Sequence, residues 1–221
     1  LQLKNISKIF SSEKNINVLK KVSYSFEKGK IYSLVGPSGS GKSTLLNLIS
    51  LIDKPTNGTI KFNNRIVDFE KNKQNDIFRA KNIGIVYQQN NLLHDFTALE
   101  NVYLASLSIK DDKNLAISKA EDLLKKVGLS NRLNHFPSQL SGGESQRVAI
   151  ARAIINDPEI ILADEPTGSL DLKNAKDIFE LLNTQRKPNR LIIFATHNRF
   201  FANKADCLLE MSDGNIKSIN V

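Results

Sequence analysis

Residues 31–52 read IYSLVGPSGSGKSTLLNLISLI, and this stretch decides the fold. Ile31–Val35 reads as a short strand, GPSGSGKST fills 36–44, and Leu45–Ile52 reads as a helix. The middle piece is G-x-x-x-x-G-K-[ST] in the setting it needs, strand before and helix after. Glycines let successive backbone N–H groups turn inward around phosphate oxygens, and the helix N-terminus adds its partial positive charge. The candidate phosphate-binding residues are therefore Gly36, Pro37, Ser38, Gly39, Ser40, Gly41, Lys42, Ser43 and Thr44. Lys42 is placed to reach the β and γ phosphates of a nucleotide. Ser43 offers a hydroxyl to Mg²⁺, which takes oxygen ligands and bridges those phosphates.

The rest of the chain reads as an α/β protein built around that loop. Before it, Leu1–Phe10 and Val22–Phe26 mix polar and apolar residues as strands of an antiparallel sheet with one wet face do. After it come a strand at Thr59–Phe62 with an Asn63-Asn64 hairpin turn, a polar surface helix or loop over Glu70–Asn82, and an apolar strand at Ile83–Tyr87. The character then turns helical. Leu92, Leu93, Phe96 and Leu99 cluster beside a Thr97–Glu100 start signal. Leu115–Val127 places Ile117, Ala120, Leu124 and Val127 on one face, and Glu144–Asn156 aligns Val148, Ala151 and Ile155. Asp157-Pro158 closes this section. Ile160–Ala163 and Leu191–Ala195 are wholly apolar, as parallel strands buried on both faces are, with an amphipathic helix over Leu172–Arg186 between them. Cys207–Met211 and Ile216–Ile219 form strands around Asp213-Gly214. The expected organisation is one domain over 1–221: a core from 1–88 and 158–221 that includes the antiparallel sheet, and a helical subdomain over 89–157.

Composition sets outer limits. The 221 residues carry a net charge of +8 with 40% hydrophobic and 24% charged residues, ordinary for a globular protein and favourable to polyanions. No arginine-rich run, zinc-finger or RNA-binding motif is present, so no specific nucleic-acid partner is expected. No run of 18 apolar residues or signal peptide stands in the sequence. The lone Cys207 excludes an internal disulfide and fits a reducing compartment. The first residue is Leu1 rather than Met, which leaves room for a few leading residues.

The remaining chemistry lies at strand and helix ends. Asp164 ends an apolar strand, the position of a second Mg²⁺ partner, and Glu165 beside it suits a general base for an attacking water. His197 follows another core strand and is a candidate to touch the γ-phosphate. Gln88, at the end of a third strand, is a candidate for the Mg²⁺ or the water. Ser141, Gly142, Gly143 and Glu144 spell S-x-x-E, a capping box, yet the two glycines leave a bare helix N-terminus that also suits an anion. Both readings stand together, and the spacing does not say which phosphate is received.

GPSGSGKST, Gln88, LSGGE, ILADE, GSLD and ATH, in that order, resemble the nucleotide-binding subunit of an ABC transporter over essentially the whole chain. LSGGE is the most specific of these motifs. The resemblance implies a P-loop NTPase of ABC-ATPase type with a parallel core sheet, an N-terminal antiparallel sheet and an inserted helical lobe. It implies ATP and Mg²⁺ as ligands, and a homodimer stacked head to tail around two ATP molecules. In that arrangement Ser141 and Gly143 contact the γ-phosphate of the partner's ATP, Asp171 lines the interface and Phe10 stacks on adenine. The region from Gln88 to Val102 meets integral membrane permease subunits, which places the protein peripherally on the cytoplasmic face of the inner membrane. LLHDFTALENV, SQLSGGESQRVAIARA and ADEPTGSLD are most similar to the ATPase of the bacterial lipoprotein-releasing system. ATPases of macrolide or peptide efflux and of the cell-division complex share much of this signature. Three positions depart from the commoner family pattern: Glu144 for glutamine, His94 for proline and Asn198 for aspartate. A DNA-repair or translation relative would carry a long coiled-coil insertion or a second ATPase domain, and neither stands in these 221 residues.

Overall fold

The computed structural model describes residues 1–11, 15–109 and 112–219. In chain order the elements are β1 (Gln2–Ser11), β2 (Asn15–Ser25), β3 (Ile31–Val35), α1 (Lys42–Ile49), β4 (Asn57–Phe62), β5 (Arg65–Ile66), α2 (Asn72–Asn82) and β6 (Ile83–Val86). Then follow α3 (Ala98–Leu107), α4 (Lys113–Lys126), a 3₁₀ turn at Pro137–Gln139, α5 (Gly142–Ile154), β7 (Ile160–Asp164) and α6 (Leu172–Asn183). The chain ends with β8 (Leu191–Ala195), α7 (Arg199–Ala202), β9 (Cys207–Ser212) and β10 (Asn215–Ile219). It divides into two compact units, Leu1–Asp76 with Lys187–Val221, and Ile77–Arg186. Among the described residues no helix is long and apolar enough to cross a membrane.

The first unit holds an antiparallel sheet in the order β2-β1-β4-β5. The strand expected from Val22 begins seven residues earlier, at Asn15. Its alternation is broken by Lys20-Lys21, with Lys21 at φ 55, and its pairing with β1 shifts register three times. Bulges of this kind scramble the period of two that marks a strand. The Asn63-Asn64 turn forms as expected, with both residues left-handed at φ 47 and 65. The same unit holds β3 between two parallel partners, Ile31 opposite Ile192 on β8 and Tyr32 opposite Cys207 on β9. Every residue of β3 and β8 is buried, which explains why neither run alternates. β10 folds back antiparallel on β9 through Asp213-Gly214.

The second unit pairs β6 with β7 in parallel, Ile83 opposite Ile160 and Val86 opposite Ala163. Its helical core gathers Leu92, Ala98, Val102, Ala120, Leu124, Val127, Val148, Ala151 and Ile155, so the face expected of α5 is buried, as is that of α4 except for Ile117, which is half-buried while its neighbour Ala116 is buried. The apolar cluster expected around Leu92 splits. Leu92 enters this core and Leu99 packs against it, whereas Leu93 and Phe96 are exposed. The cause is Asn101, only 1% exposed, whose side chain accepts from the Leu93 N–H at 2.8 Å and donates to the Leu93 and Phe96 carbonyls at 3.0 Å. An amide buried in α3 thus fixes the loop before it and turns those two side chains outward. The polar segment after Glu70 is a helix from Asn72.

Candidate functional site

Within the first unit the phosphate loop is wedged between two strands. A Cβ on Gly36, at φ +149, would collide with the Met211 carbonyl of β9, and a Cβ on Gly41, at φ +100, would fall 2.9 Å from Leu19 of β2. Only glycine supplies both the space and the backbone angles here. Gly41 is also the N-cap of α1 and brings no side-chain cap, so the first N–H groups of that helix are free to meet an anion. The Lys42 ammonium folds back over the loop and donates to the Gly36 and Pro37 carbonyls at 2.8 and 3.0 Å. Ser40 is buried, and its hydroxyl has no hydrogen-bond partner among the described residues. A cradle with an uncapped helix end, a cation and an orphaned buried hydroxyl fits an anionic phosphate group. Pro37, Ser38, Gly39 and Ser43 are exposed and Thr44 half-buried, so the loop is open along its crest.

His197 belongs to the same unit. The Thr196 N–H donates to the Leu34 carbonyl at 3.0 Å, so the chain carrying His197 leaves the sheet beside the strand that feeds the loop. His197 is exposed there. Asn198 caps α7 by accepting from the Phe200 N–H at 2.9 Å, a role an amide oxygen fills as well as a carboxylate. Phe10 is 44% exposed at the end of β1, its ring 4.9 Å below the Lys8 ammonium. An exposed aromatic face beside a cation suits a stacking partner.

The second unit carries two further groupings. The first sits at the carboxyl ends of β6 and β7, which coincide because Val86 pairs with Ala163. Gln88 leaves one strand, and Asp164 and Glu165 end the other. Glu165 adopts φ 48, a left-handed backbone uncommon for a residue of its kind, and its carbonyl accepts from the Gly168 N–H at 3.0 Å. A Cβ on Gly168 would lie 3.0 Å from Gln88 Nε2, so the Gln88 amide rests against the turn that follows the two carboxylates. Within this unit Gln88 and Asp164 offer amide and carboxylate oxygens, hard donors of the kind Mg²⁺ takes.

The second grouping joins the N-termini of α5 and α6. The capping box expected at Ser141 is formed: Ser141 Oγ accepts from the Glu144 N–H at 3.2 Å, and Glu144 Oε2 accepts from the Ser141 N–H at 2.8 Å. The helix starts at Gly142, two residues before the position expected from its apolar pattern. Asp171 caps α6 and accepts from the N–H groups of Lys173 and Asn174, each at 3.0 Å. The Asn174 bonds hold its carboxyl below the usual carboxylate range. Asn174 also donates its side-chain amide to Asp171, and a Cβ on Gly143 would lie 3.0 Å from Asn174 Oδ1. Asn174 thereby ties Asp171 to the glycine turn, a link the sequence pattern did not signal.

Comparison with known proteins places this arrangement. A family model described as ABC transporter matches residues 19–168. The lipoprotein-releasing system ATP-binding protein LolD of Cytophaga hutchinsonii is 42% identical over 93% of this chain and 94% of its own length. That of Rickettsia conorii is 46% identical over 96% and 94%. An uncharacterized ABC transporter ATP-binding protein of Methanocaldococcus jannaschii is 41% identical over 99% and 98%. Among solved structures, the ATP-binding cassette MJ0796, a dimer in a post-hydrolysis state bound to ADP and Pi, superposes with a TM-score of 0.90 at 37% identity, covering 100% of this chain and 99% of that one. The chain belongs to the ABC transporter family, as one of its ATPase subunits.

Proposed function

We propose that this subunit hydrolyses ATP to drive release of lipoproteins from the bacterial inner membrane towards the outer membrane. It works as a homodimer docked on integral membrane permease subunits at the cytoplasmic face. The observation that carries the reading is the division of labour in the second unit, where Asp164 and Glu165 sit at a strand end and Ser141–Glu144 at a separate, uncovered helix end. A head-to-tail pair uses both: the strand end serves the ATP held by its own chain, and the helix end serves the ATP of the neighbour. The dimeric state of the MJ0796 cassette and the names of relatives at 42–46% identity support the two halves of the proposal.

In this reading the backbone of residues 36–44, with Lys42, binds the ATP phosphates, and Phe10 stacks on the adenine. Ser43, Gln88 and Asp164 hold Mg²⁺, which when bound supplies neutralisation of phosphate charge. Glu165 orients the attacking water and accepts its proton, and His197 contacts the terminal phosphate. Residues 89–157 act as the helical subdomain of a core formed by 1–88 and 158–221, with Gln88–Val102 facing the permease.

The test is recovery of this protein with its permease from native membranes, followed by reconstitution in liposomes loaded with a lipoprotein. ATP-dependent transfer of the lipoprotein to a soluble acceptor supports the proposal. A co-purifying efflux permease or division regulator, with no lipoprotein transfer, overturns the cargo assignment and leaves the ATPase assignment intact.

A further inference from the structure

The N-terminus of α5 contains an electrostatic conflict. A carboxylate in the first turn stabilises its own helix. If the same helix end receives an ATP phosphate, as proposed above, that carboxylate repels the ligand. Ser141 and Gly142 are exposed, so the end is open to an arriving anion. The Glu144 carboxyl does not escape by protonation, because its pKa lies well below the usual range, at about 2, chiefly through a hydrogen bond from Arg132. Arg132 comes from the segment between α4 and the 3₁₀ turn. Its Nε donates to Glu144 Oε1 at 2.8 Å, and its Nη1 lies 3.2 Å from His135 Nε2. The two oxygens of Glu144 are therefore divided: one caps the helix through the Ser141 N–H, the other is held by a guanidinium.

We infer that Arg132 is a charge-compensating positioning residue for the phosphate-receiving end of α5. It cancels the Glu144 charge while leaving the cap in place, so that one helix end is both capped and attractive to an anion. This role differs from that of a mechanical clip. A clip acts through hydrogen-bond geometry and works equally on a glutamine at position 144, whose oxygen accepts from Arg132 in the same way. Charge compensation is needed only while the residue at 144 is an anion.

The experiment measures ATPase kcat/KM for Arg132→Met in the wild-type and Glu144→Gln backgrounds, at low and high salt. Compensation predicts about a three- to tenfold loss in the wild-type background, the size of a helix-end charge effect. That loss shrinks to under about twofold with Glu144→Gln, and shrinks again at high salt, where exposed charges are screened. Arg132→Lys, which keeps the charge without the planar fork, retains most of the activity and serves if Arg132→Met folds poorly. An equal, salt-independent loss in both backgrounds, or no loss in either, overturns the inference. Ser141→Arg separates it from the reading it rests on. If Ser141→Arg leaves ATPase unchanged, the helix end receives no phosphate and both fail. If Ser141→Arg abolishes activity while Arg132→Met is silent, only the compensation fails.

Discussion

The Arg152 guanidinium donates to the carbonyls of Asn90 and Asn91, at 2.6 and 2.7 Å, and both of those residues are left-handed, at φ 40 and 47. They follow Gln88 by two and three residues. A second group on the same helix, Gln146 Nε2, donates to the Tyr87 carbonyl at 3.3 Å. Helix α5 therefore begins with the Ser141–Glu144 turn and, further along, grips both flanks of Gln88. A displacement of this helix moves the glutamine with it.

Arg152→Met removes both donors and leaves two carbonyls of a strained loop unpaired. Hydrogen bonds from a charged donor contribute about 1.5–3 kcal/mol each, less where water replaces them, so we expect a net loss of about 2–3 kcal/mol in urea unfolding. ATPase activity is expected to fall further than stability alone explains, because Gln88 loses its support. A variant with wild-type unfolding and turnover would show that the grip is incidental.

Two glycines of the second unit separate packing from chemistry. A Cβ on Gly84 would collide with the Ala153 backbone carbonyl of α5, whereas one on Gly168 would press on the movable Gln88 amide and make only ordinary contact, at 3.4 Å, with the Glu165 carbonyl. Gly84→Ala is expected to destabilise by about 1–3 kcal/mol, the usual range for overpacking. Gly168→Ala is expected to leave the thermal midpoint nearly unchanged while lowering ATPase activity, since it displaces Gln88. Circular dichroism melts beside turnover assays check the pair. The opposite ranking would remove Gln88 from the candidate site.

Lys42→Ala tests the phosphate loop. The side chain makes two bonds to loop carbonyls, so its loss relaxes the loop modestly. Removing a cation from a phosphate cradle weakens ATP binding by about ten- to a hundredfold on the same charged hydrogen-bond scale. Titration calorimetry with ATP measures this directly, and unchanged affinity would exclude the loop as the phosphate site.

Local devices were legible in the sequence, and long-range ones were not. The phosphate loop is one contiguous run over 36–44, and the Thr97–Glu100 and Ser141–Glu144 capping boxes and the Asn63-Asn64 hairpin each act over three or four residues, so spacing alone exposes them. α1 and α5 start earlier than their apolar runs because a helix begins at its cap, where polar and glycine residues sit. The grip of Arg152 on Asn90 and Asn91 spans some 60 residues, and the tie of Arg132 to Glu144 crosses a 3₁₀ turn. Neither leaves a periodic trace. Glu165 was legible as a candidate base, but its left-handed backbone was not, since that depends on the turn closed by Gly168.

Acid should weaken the α5 cap late. The Glu144 carboxyl falls from an ordinary value of 4.5 to about 2 in the folded chain, through Arg132 first and the Ser141 N–H second. A depressed acid stabilises the fold fully above its unfolded value and loses that contribution as pH falls towards the folded one. The share due to Glu144 is therefore complete above about pH 4.5 and lost progressively down to about pH 2. Glu144→Gln should remove this share, so that stability falls less steeply over that window than in the wild type. Equal slopes in denaturant titrations across it would show that the ion pair contributes nothing to folding.

Glu165 combines the role in hydrolysis proposed above with a left-handed backbone, and the two can be measured separately. At φ 48 a residue with a Cβ costs about 1 kcal/mol or more relative to glycine. Glu165→Ala and Glu165→Gly both delete the carboxylate and every contact it makes, and differ only in the tolerance of the backbone. The glycine variant should be the more stable by about 1 kcal/mol, visible as a higher urea midpoint at the same slope. Both should hydrolyse ATP poorly. Glu165→Gln keeps the side-chain shape and the strain, so its stability should match the wild type while it binds ATP, turns over slowly and accumulates as a dimer in light scattering. Wild-type turnover by Glu165→Gln would assign the proton acceptor elsewhere. An alanine variant as stable as the glycine variant would mean that the left-handed turn relaxes once the carboxylate is gone, and that the carboxylate itself holds the strain.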